Sequence, residues 1–159
     1  GRFLCAAGQR FPDLQLALFD LPAVAARAHK KLQEMGLSAR AEAVGGNFFR
    51  DDLPAGADIV TLIRILHDHD DDNAEQLLAK VRKSLPPDGH LLIAEPRAET
   101  RGAEPMGDAY FGFYLMAMRS GRPRTRATIE EMLRRAGFSR LRTVETRIPL
   151  QTSLIIAQT

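Results

Sequence analysis

Apolar residues along this chain fall into two rhythms that alternate. Residues 3–10 read as the end of a helix, stopped near Pro12. LQLALFD (14–20) is a short apolar run closed by an acid, which predicts a buried strand with Pro22 in the first turn of the next helix. AVAARAHKKLQEMG (23–36) is Ala-rich with a glycine stop and predicts that helix. SARAEAV (38–44) alternates as a half-buried strand, and residues 45–58 carry the glycine and proline punctuation of a loop. IVTLIRIL (59–66) is a continuous β-rich run that breaks on His67-Asp68-His69 and three further aspartates. NAEQLLAKVRKSL (73–85) then has acids at its start and bases near its end, the polarity that a helix dipole favours. HLLIAE (90–95) predicts another buried strand, residues 106–119 an aromatic- and Met-rich helix, and residues 127–137 a further helix. FSRLRTVET (138–146) and TSLIIAQT (152–159) are two strands able to pair antiparallel.

Strand and helix thus alternate to residue 137 before a final hairpin, which predicts an α/β sandwich on a mostly parallel sheet. Ligands in open sheets of this kind bind at the carboxyl ends of the strands. Asp20, Asn47, His67, Asp68 and Glu95 all end or follow predicted strands, so they are expected to form one site.

The composition narrows the classes without naming one. With 159 residues, 45% hydrophobic and 26% charged, the chain has the size and balance of one globular domain. Its longest apolar stretches run a few residues, far short of the roughly 20 that span a bilayer. The opening GRFLCAAGQRF lacks the n-region and long apolar core of a signal peptide. The single Cys5 excludes an internal disulfide or a Cys-rich metal site, and the expected location is a reducing cytoplasm. Residues 1–96 hold 11 basic and 14 acidic side chains, whereas residues 97–147 hold 11 arginines against 6 acids. Those arginines are scattered through amphipathic segments with no basic block, so a solvated face, not a nucleic-acid surface, is expected. Consecutive aspartates after His67 read as a dipole-favoured helix start in preference to a metal site. GxSxG, GxxxxGK[ST] and HExxH motifs are absent, which leaves hydrolase, P-loop and zincin readings without support.

Taken in order, FDLP (19–22), VGGNFF (44–49), IRILHDHDDDNAEQLLAKVRKSL (63–85), PDGHLLIAE (87–95), GRPRT (121–125) and RRAGF (134–138) resemble the methyltransferase domain of the plant- and bacterial-type small-molecule O-methyltransferases. Within that family, LIRILHDHDD (62–71) and DAYFGFYLMAMRSGRPRT (108–125) look most like the carotenoid-pathway hydroxyneurosporene (demethylspheroidene) enzymes, with the bacteriochlorophyllide and phenol methyltransferases as neighbours. The resemblance implies a Rossmann-like class I methyltransferase sandwich that uses S-adenosylmethionine and acts as a homodimer. It also implies a lipophilic acceptor reached by transient association with a membrane surface. Gly1 stands where the family's glycine-rich turn ends. By resemblance, the first strand, most of that turn and an N-terminal dimerisation domain are therefore missing from these residues. A non-catalytic Rossmann-like module is the alternative of another class.

The resemblance also implies roles. Gly1, Asp20, Leu21, Asn47, Phe48 and Arg64 are the expected cofactor-binding residues. Asp20 would accept the ribose hydroxyls, or else cap the helix at Pro22. Asn47 would bond the adenine edge, where many relatives carry Asp, and Phe48 would cover its face or simply pack in the core. His67 is the expected general base, since a neutral imidazole accepts a proton near physiological pH. Asp68 follows it in the family's HD motif, and His69 reads as a surface residue. Glu95 would orient His67 and favour its protonated form, or be a solvated strand end. Pro123 replaces a second carboxylate that plant members place beside the imidazole, a departure that favours an atypical acceptor over a phenol. Five aromatic or Met side chains within Tyr110–Met116, flanked by Met106 and Met118, would line a greasy pocket or pack in the core; both readings stand.

Overall fold

The structure, a computed structural model, describes residues 1–99, 120–144, 146–147 and 152–159. The Met- and aromatic-rich segment expected as a helix over 106–119 lies outside the described residues. The chain divides into two compact units, Gly1–Leu53 and Pro54–Thr159.

The first unit runs α1 (Arg2–Arg10), β1 (Leu16–Asp20), α2 (Pro22–Glu34) and β2 (Ala41–Gly45). Strands β1 and β2 pair in parallel from Leu16 opposite Ala41 to Asp20 opposite Gly45. Two small apolar clusters hold the helices to the strands: Cys5, Leu16, Leu32 and Leu37 in one, Leu18, Ala25 and Ala28 in the other. Proline opens α2 as its sequence requires, with Leu21 extended before it. The glycine stop works through backbone geometry. Gly36 takes φ +70°, which lets Leu37 N–H reach the Leu32 carbonyl at 2.9 Å and Gly36 N–H the Gln33 carbonyl at 2.9 Å. Leu37 then packs beside Leu32 in the same cluster, completing the usual left-handed helix terminus.

The second unit runs β3 (Ile59–Ile63), a 3-10 turn (Leu66–Asp68), α3 (Asp71–Ser84), β4 (His90–Glu95), α4 (Arg126–Arg135), β5 (Ser139–Val144) and β6 (Ser153–Gln158). Its sheet has the order β3-β4-β6-β5. Strands β3 and β4 are parallel, and β6 runs antiparallel to both of its neighbours. The β5–β6 pairing expected from the sequence is present. The insertion of β6 beside β4, with Glu95 opposite Ser153, was not foreseen. The burial of β6 on alternate residues fits a strand covered on one face. Helix α4 ends as α2 does, with Gly137 at φ +90° and Phe138 N–H on the Leu133 carbonyl.

The sequence predicted a strand through Leu66, but β3 stops at Ile63. The break comes at Arg64, which adopts φ +57°, a region that costs a side-chain-bearing residue energy. Its N–H still reaches the Ala94 carbonyl at 2.8 Å, carrying the ladder one step past the strand. Beyond it the chain curls into the 3-10 turn. Helix α3 starts two residues before the expected Asn73, with Asp70 at its N-cap and Asp71 and Asp72 in its first turn.

Candidate active site

The parallel register sets Ile63 beside Ala94, so the carboxyl ends of β3 and β4 lie together. His67 follows the first strand and Glu95 ends the second. Both are buried, at 2% and 1% relative exposure, so Glu95 is not a solvated strand end. Glu95 Oε2 accepts the backbone N–H of His67 at 3.3 Å, tying the turn to the sheet. The carboxylate beside the imidazole itself is that of Asp68, with Oδ1 3.2 Å from His67 Nε2. That approach is electrostatic: Asp68 Oδ1 is buried and lies off the line of a hydrogen bond.

Burial dominates the titration of both groups. It pushes the His67 pKa below 6.5; Asp68 opposes that shift, while Arg64, Arg124 and His69 reinforce it. The imidazole is therefore held in its neutral, proton-accepting form. Burial drives Glu95 the other way, from 4.5 to about 7, against the weaker pull of the His67 amide and Arg124. Its Oε1 receives no hydrogen bond from any described residue, so little compensates the charged form. His69, expected on the surface, is half-buried, and burial lowers its pKa as well.

A segment that the sequence reading undervalued locks this turn in place. Arg124, counted among the scattered surface arginines, is buried at 2% exposure. Its Nη1 donates to the Leu66 carbonyl at 2.7 Å, its Nη2 to the His69 carbonyl at 2.6 Å, and its Nε to Asp71 Oδ1 at 2.9 Å. Arg122, Arg126, Arg134 and Arg135 are exposed as expected. Ser120 Oγ donates to the Asp68 carbonyl at 3.1 Å, and Gly121 N–H to Asp70 Oδ1 at 3.0 Å. Gly121 sits at φ +82° against the turn. A Cβ there would collide with the His67 carbonyl oxygen and stand 2.6 Å from the Asp68 carbonyl carbon. The residues flanking Pro123 supply the framework of the turn. The G-x-x-R spacing was the available signal.

In the first unit, Asp20 ends β1 and its Oδ1 accepts the N–H of Leu21 at 2.8 Å. The N-cap of α2 is Leu21, so Asp20 is not the cap that the sequence offered as its alternative. Gly46 N–H on the Asp20 carbonyl, at 2.8 Å, brings the loop 46–51 against the strand end. There Asn47 Oδ1 accepts the N–H of Phe49 at 2.9 Å, and Asp51 Oδ2 accepts the N–H of Asn47 at 2.7 Å. Phe48 is half-buried, with its ring centroid 4.5 Å from that of Phe49. Leu21 is 53% exposed, and Gly1 caps α1. Each unit thus gathers its own predicted residues: Asp20, Leu21, Asn47 and Phe48 in the first, and His67, Asp68 and Glu95 in the second, where Arg64 is exposed at the strand end.

A profile of the O-methyltransferase domain matches residues 1–139. The chain is 43% identical over 159 residues to demethylspheroidene O-methyltransferase of Cereibacter sphaeroides, covering 99% of this chain and 41% of that protein. It therefore spans about two fifths of that relative's length. Among solved structures, LaPhzM superposes with a TM-score of 0.89 at 31% identity, covering 99% of this chain and 46% of that one. Human N-acetylserotonin methyltransferase in complex with SAM superposes with a TM-score of 0.81 over 95% of this chain and 42% of that one, a likeness of fold alone at 24% identity. The α/β fold with parallel and mixed sheets and the sequence match agree, and the chain belongs to the S-adenosylmethionine-dependent O-methyltransferase family.

Proposed function

We propose that this chain is the cofactor-binding and catalytic part of an O-methyltransferase that methylates a hydroxyl of an apolar small molecule, a hydroxylated carotenoid of the hydroxyneurosporene or demethylspheroidene kind, with His67 as general base. The observation that carries the base assignment is the buried imidazole in the 3-10 turn after β3, its pKa lowered by burial, on a turn fastened by Glu95 and Arg124. The acceptor class is supported by the 43% identity to a demethylspheroidene enzyme over nearly the whole chain. Homodimerisation of the longer protein, transient membrane-surface association and a single domain spanning residues 1–159 belong to the same reading.

Three residues of the first unit support binding of S-adenosylmethionine. Asp20 has one oxygen committed to Leu21 and a second with no protein hydrogen bond among the described residues, which suits it to accept from a ribose diol. Asn47 has its oxygen committed to Phe49, which leaves its amide N–H₂ to donate to a ring nitrogen of adenine. Phe48 supplies an aromatic face, Gly1 and Leu21 complete the first unit's proposed set, and Arg64, of the second unit, belongs to the same proposal.

The bound sulfonium supplies an electrophilic methyl group. His67 aligns the acceptor hydroxyl and takes its proton as the oxygen forms its new bond to carbon and the carbon–sulfur bond breaks towards sulfur. A tertiary alcohol is too weak an acid for an imidazole to deprotonate beforehand. Proton transfer to His67 therefore accompanies or follows methyl transfer, and alignment supplies most of the acceleration. Asp68, beside Nε2, stabilises the imidazolium that forms, as its opposing pull on the His67 pKa indicates.

The test is transfer of labelled methyl by the full-length protein to hydroxylated carotenoids and to phenols. The expected result is preferred transfer to the carotenoid, with His67→Ala slower by about 10²–10⁴-fold. An unchanged rate in that variant would reject the base, and preference for a phenol would reject the acceptor. A folded, cofactor-binding protein that methylates none of these would favour the non-catalytic reading.

A further inference from the structure

We infer that Arg124 is a positioning residue for His67: its guanidinium fork grips the carbonyls on either side of the catalytic turn and sets where the imidazole stands. The inference rests on the reading of His67 as the base. The carbonyls it holds are those of Leu66 and His69, which bracket His67-Asp68, while its Nε is anchored on Asp71 in the first turn of α3. One planar group thus joins the 3-10 turn, the residue that follows it and α3. No ammonium has the fixed, divergent donors to repeat that grip. A buried arginine must have such partners, because an unpaired buried charge is strongly disfavoured.

The turn is held from two other sides. Glu95 holds the His67 amide. Gly121 presses on the peptide between His67 and Asp68, leaving no room for a side chain. The segment carrying Arg124 is itself fixed: its carbonyl accepts Ala98 N–H at 3.0 Å, and Thr125 caps α4 through Thr128 N–H at 3.1 Å. With sheet, helix and loop all fixed, the imidazole position follows from the backbone they clamp. The charged and titratable groups acting on that imidazole are Asp68, Arg64, Arg124 and His69, with Glu95 at its amide.

The experiment uses the full-length protein with cofactor and acceptor, comparing Arg124→Lys, Arg124→Ala and His67→Ala. Arg124→Lys keeps the cation and is expected to lose kcat by on the order of 100-fold, as for displacement of a catalytic group by about 1 Å. Its KM for cofactor should stay near that of the parent, and so should the acid limb of its kcat/KM profile. Arg124→Ala also removes the cation, so its acid limb should move to higher pH. A purely structural role would lower the active fraction without moving that limb. Parental kcat in Arg124→Lys overturns the inference, whether or not Arg124→Ala folds. So does a folded Arg124→Ala with an unshifted limb. If His67→Ala itself retains the parental rate, the base reading fails on its own, which separates the two outcomes.

Discussion

The two units place their proposed functional residues in opposite ways. In the first, the side-chain hydrogen bonds around Asp20 and Asn47 reach one, two or four residues along the chain, and the side chains stay at least partly open to solvent. In the second, His67 is shaped by partners 28 residues away at Glu95 and by Arg124, which reaches 58 residues back to Leu66. A ligand-holding loop needs groups displayed outward, which local turns provide. A buried base needs its pKa and position set against solvent, which only long-range packing provides.

Each unit also contains an arginine that gathers backbone carbonyls, and the pair sharpens the contrast. Arg40 binds the carbonyls of Gly8 and, at 2.8 Å, Leu14, closing the link between α1 and β1. It serves the fold from a half-buried position, whereas Arg124 is fully buried at the proposed site.

The largest expected effect is at the interior turn. Gly121→Ala forces a Cβ onto the His67 carbonyl at a positive φ, and kcat should fall by on the order of 100-fold while cofactor affinity stays near the parental value. Steady-state kinetics paired with calorimetric cofactor binding would show that split. Equal losses in both would mean that the turn and the cofactor loop are not separable.

A change in stability with pH comes next. Glu95 has a folded pKa raised to about 7 from 4.5, so its contribution is fully present below 4.5 and is lost as pH rises through about 7. Glu95→Gln removes that slope. Relative to the parent, the variant should gain stability across this window, by on the order of 3 kcal/mol for a shift of this size. The lowered pKa of His67 acts with the opposite sign, costing stability as pH falls below 6.5, and is common to both proteins. Denaturant midpoints at pH 4.5 and pH 8 measure the difference; a pH-independent gap would contradict the buried, protonated Glu95.

The open site should give a smaller and different response. Asp20→Ala is expected to weaken cofactor binding by about 1–3 kcal/mol, read as a raised KM, while kcat for bound substrate changes little. A fall in kcat with unchanged KM would place Asp20 outside the cofactor site. The smallest effect belongs to Arg40→Ala, a loss of about 1 kcal/mol of stability with the pH–rate profile unmoved. A shifted profile there would erase the distinction between the two arginines.

The same contrast explains what the sequence disclosed. Helices α2 and α4 were legible because Pro22, Gly36 and Gly137 act on their own backbone. Glu95 was legible as a strand end, and His67 as the polar residue that closes an apolar run, although the strand itself stops at Ile63. Arg124 was not, because its partners lie 53–58 residues away and it reads like the exposed Arg122 two positions earlier. The position of β6 beside β4 was hidden for the same reason: its alternating pattern fixes a covered face but not which strand lies next to it. The left-handed Arg64 that ends β3 early follows from the turn it must enter, and no local residue preference marks it.

His67 is proposed as a buried base kept neutral by its surroundings. The most direct measurement is the titration of its ring by NMR in the full-length protein, with a His67→Gln spectrum assigning the resonance, set beside the acid limb of kcat/KM. A midpoint below 6.5 that coincides with the kinetic limb is expected, so that activity persists into mildly acidic solution. A midpoint above 6.5, or a ring that titrates with no matching change in rate, would contradict it.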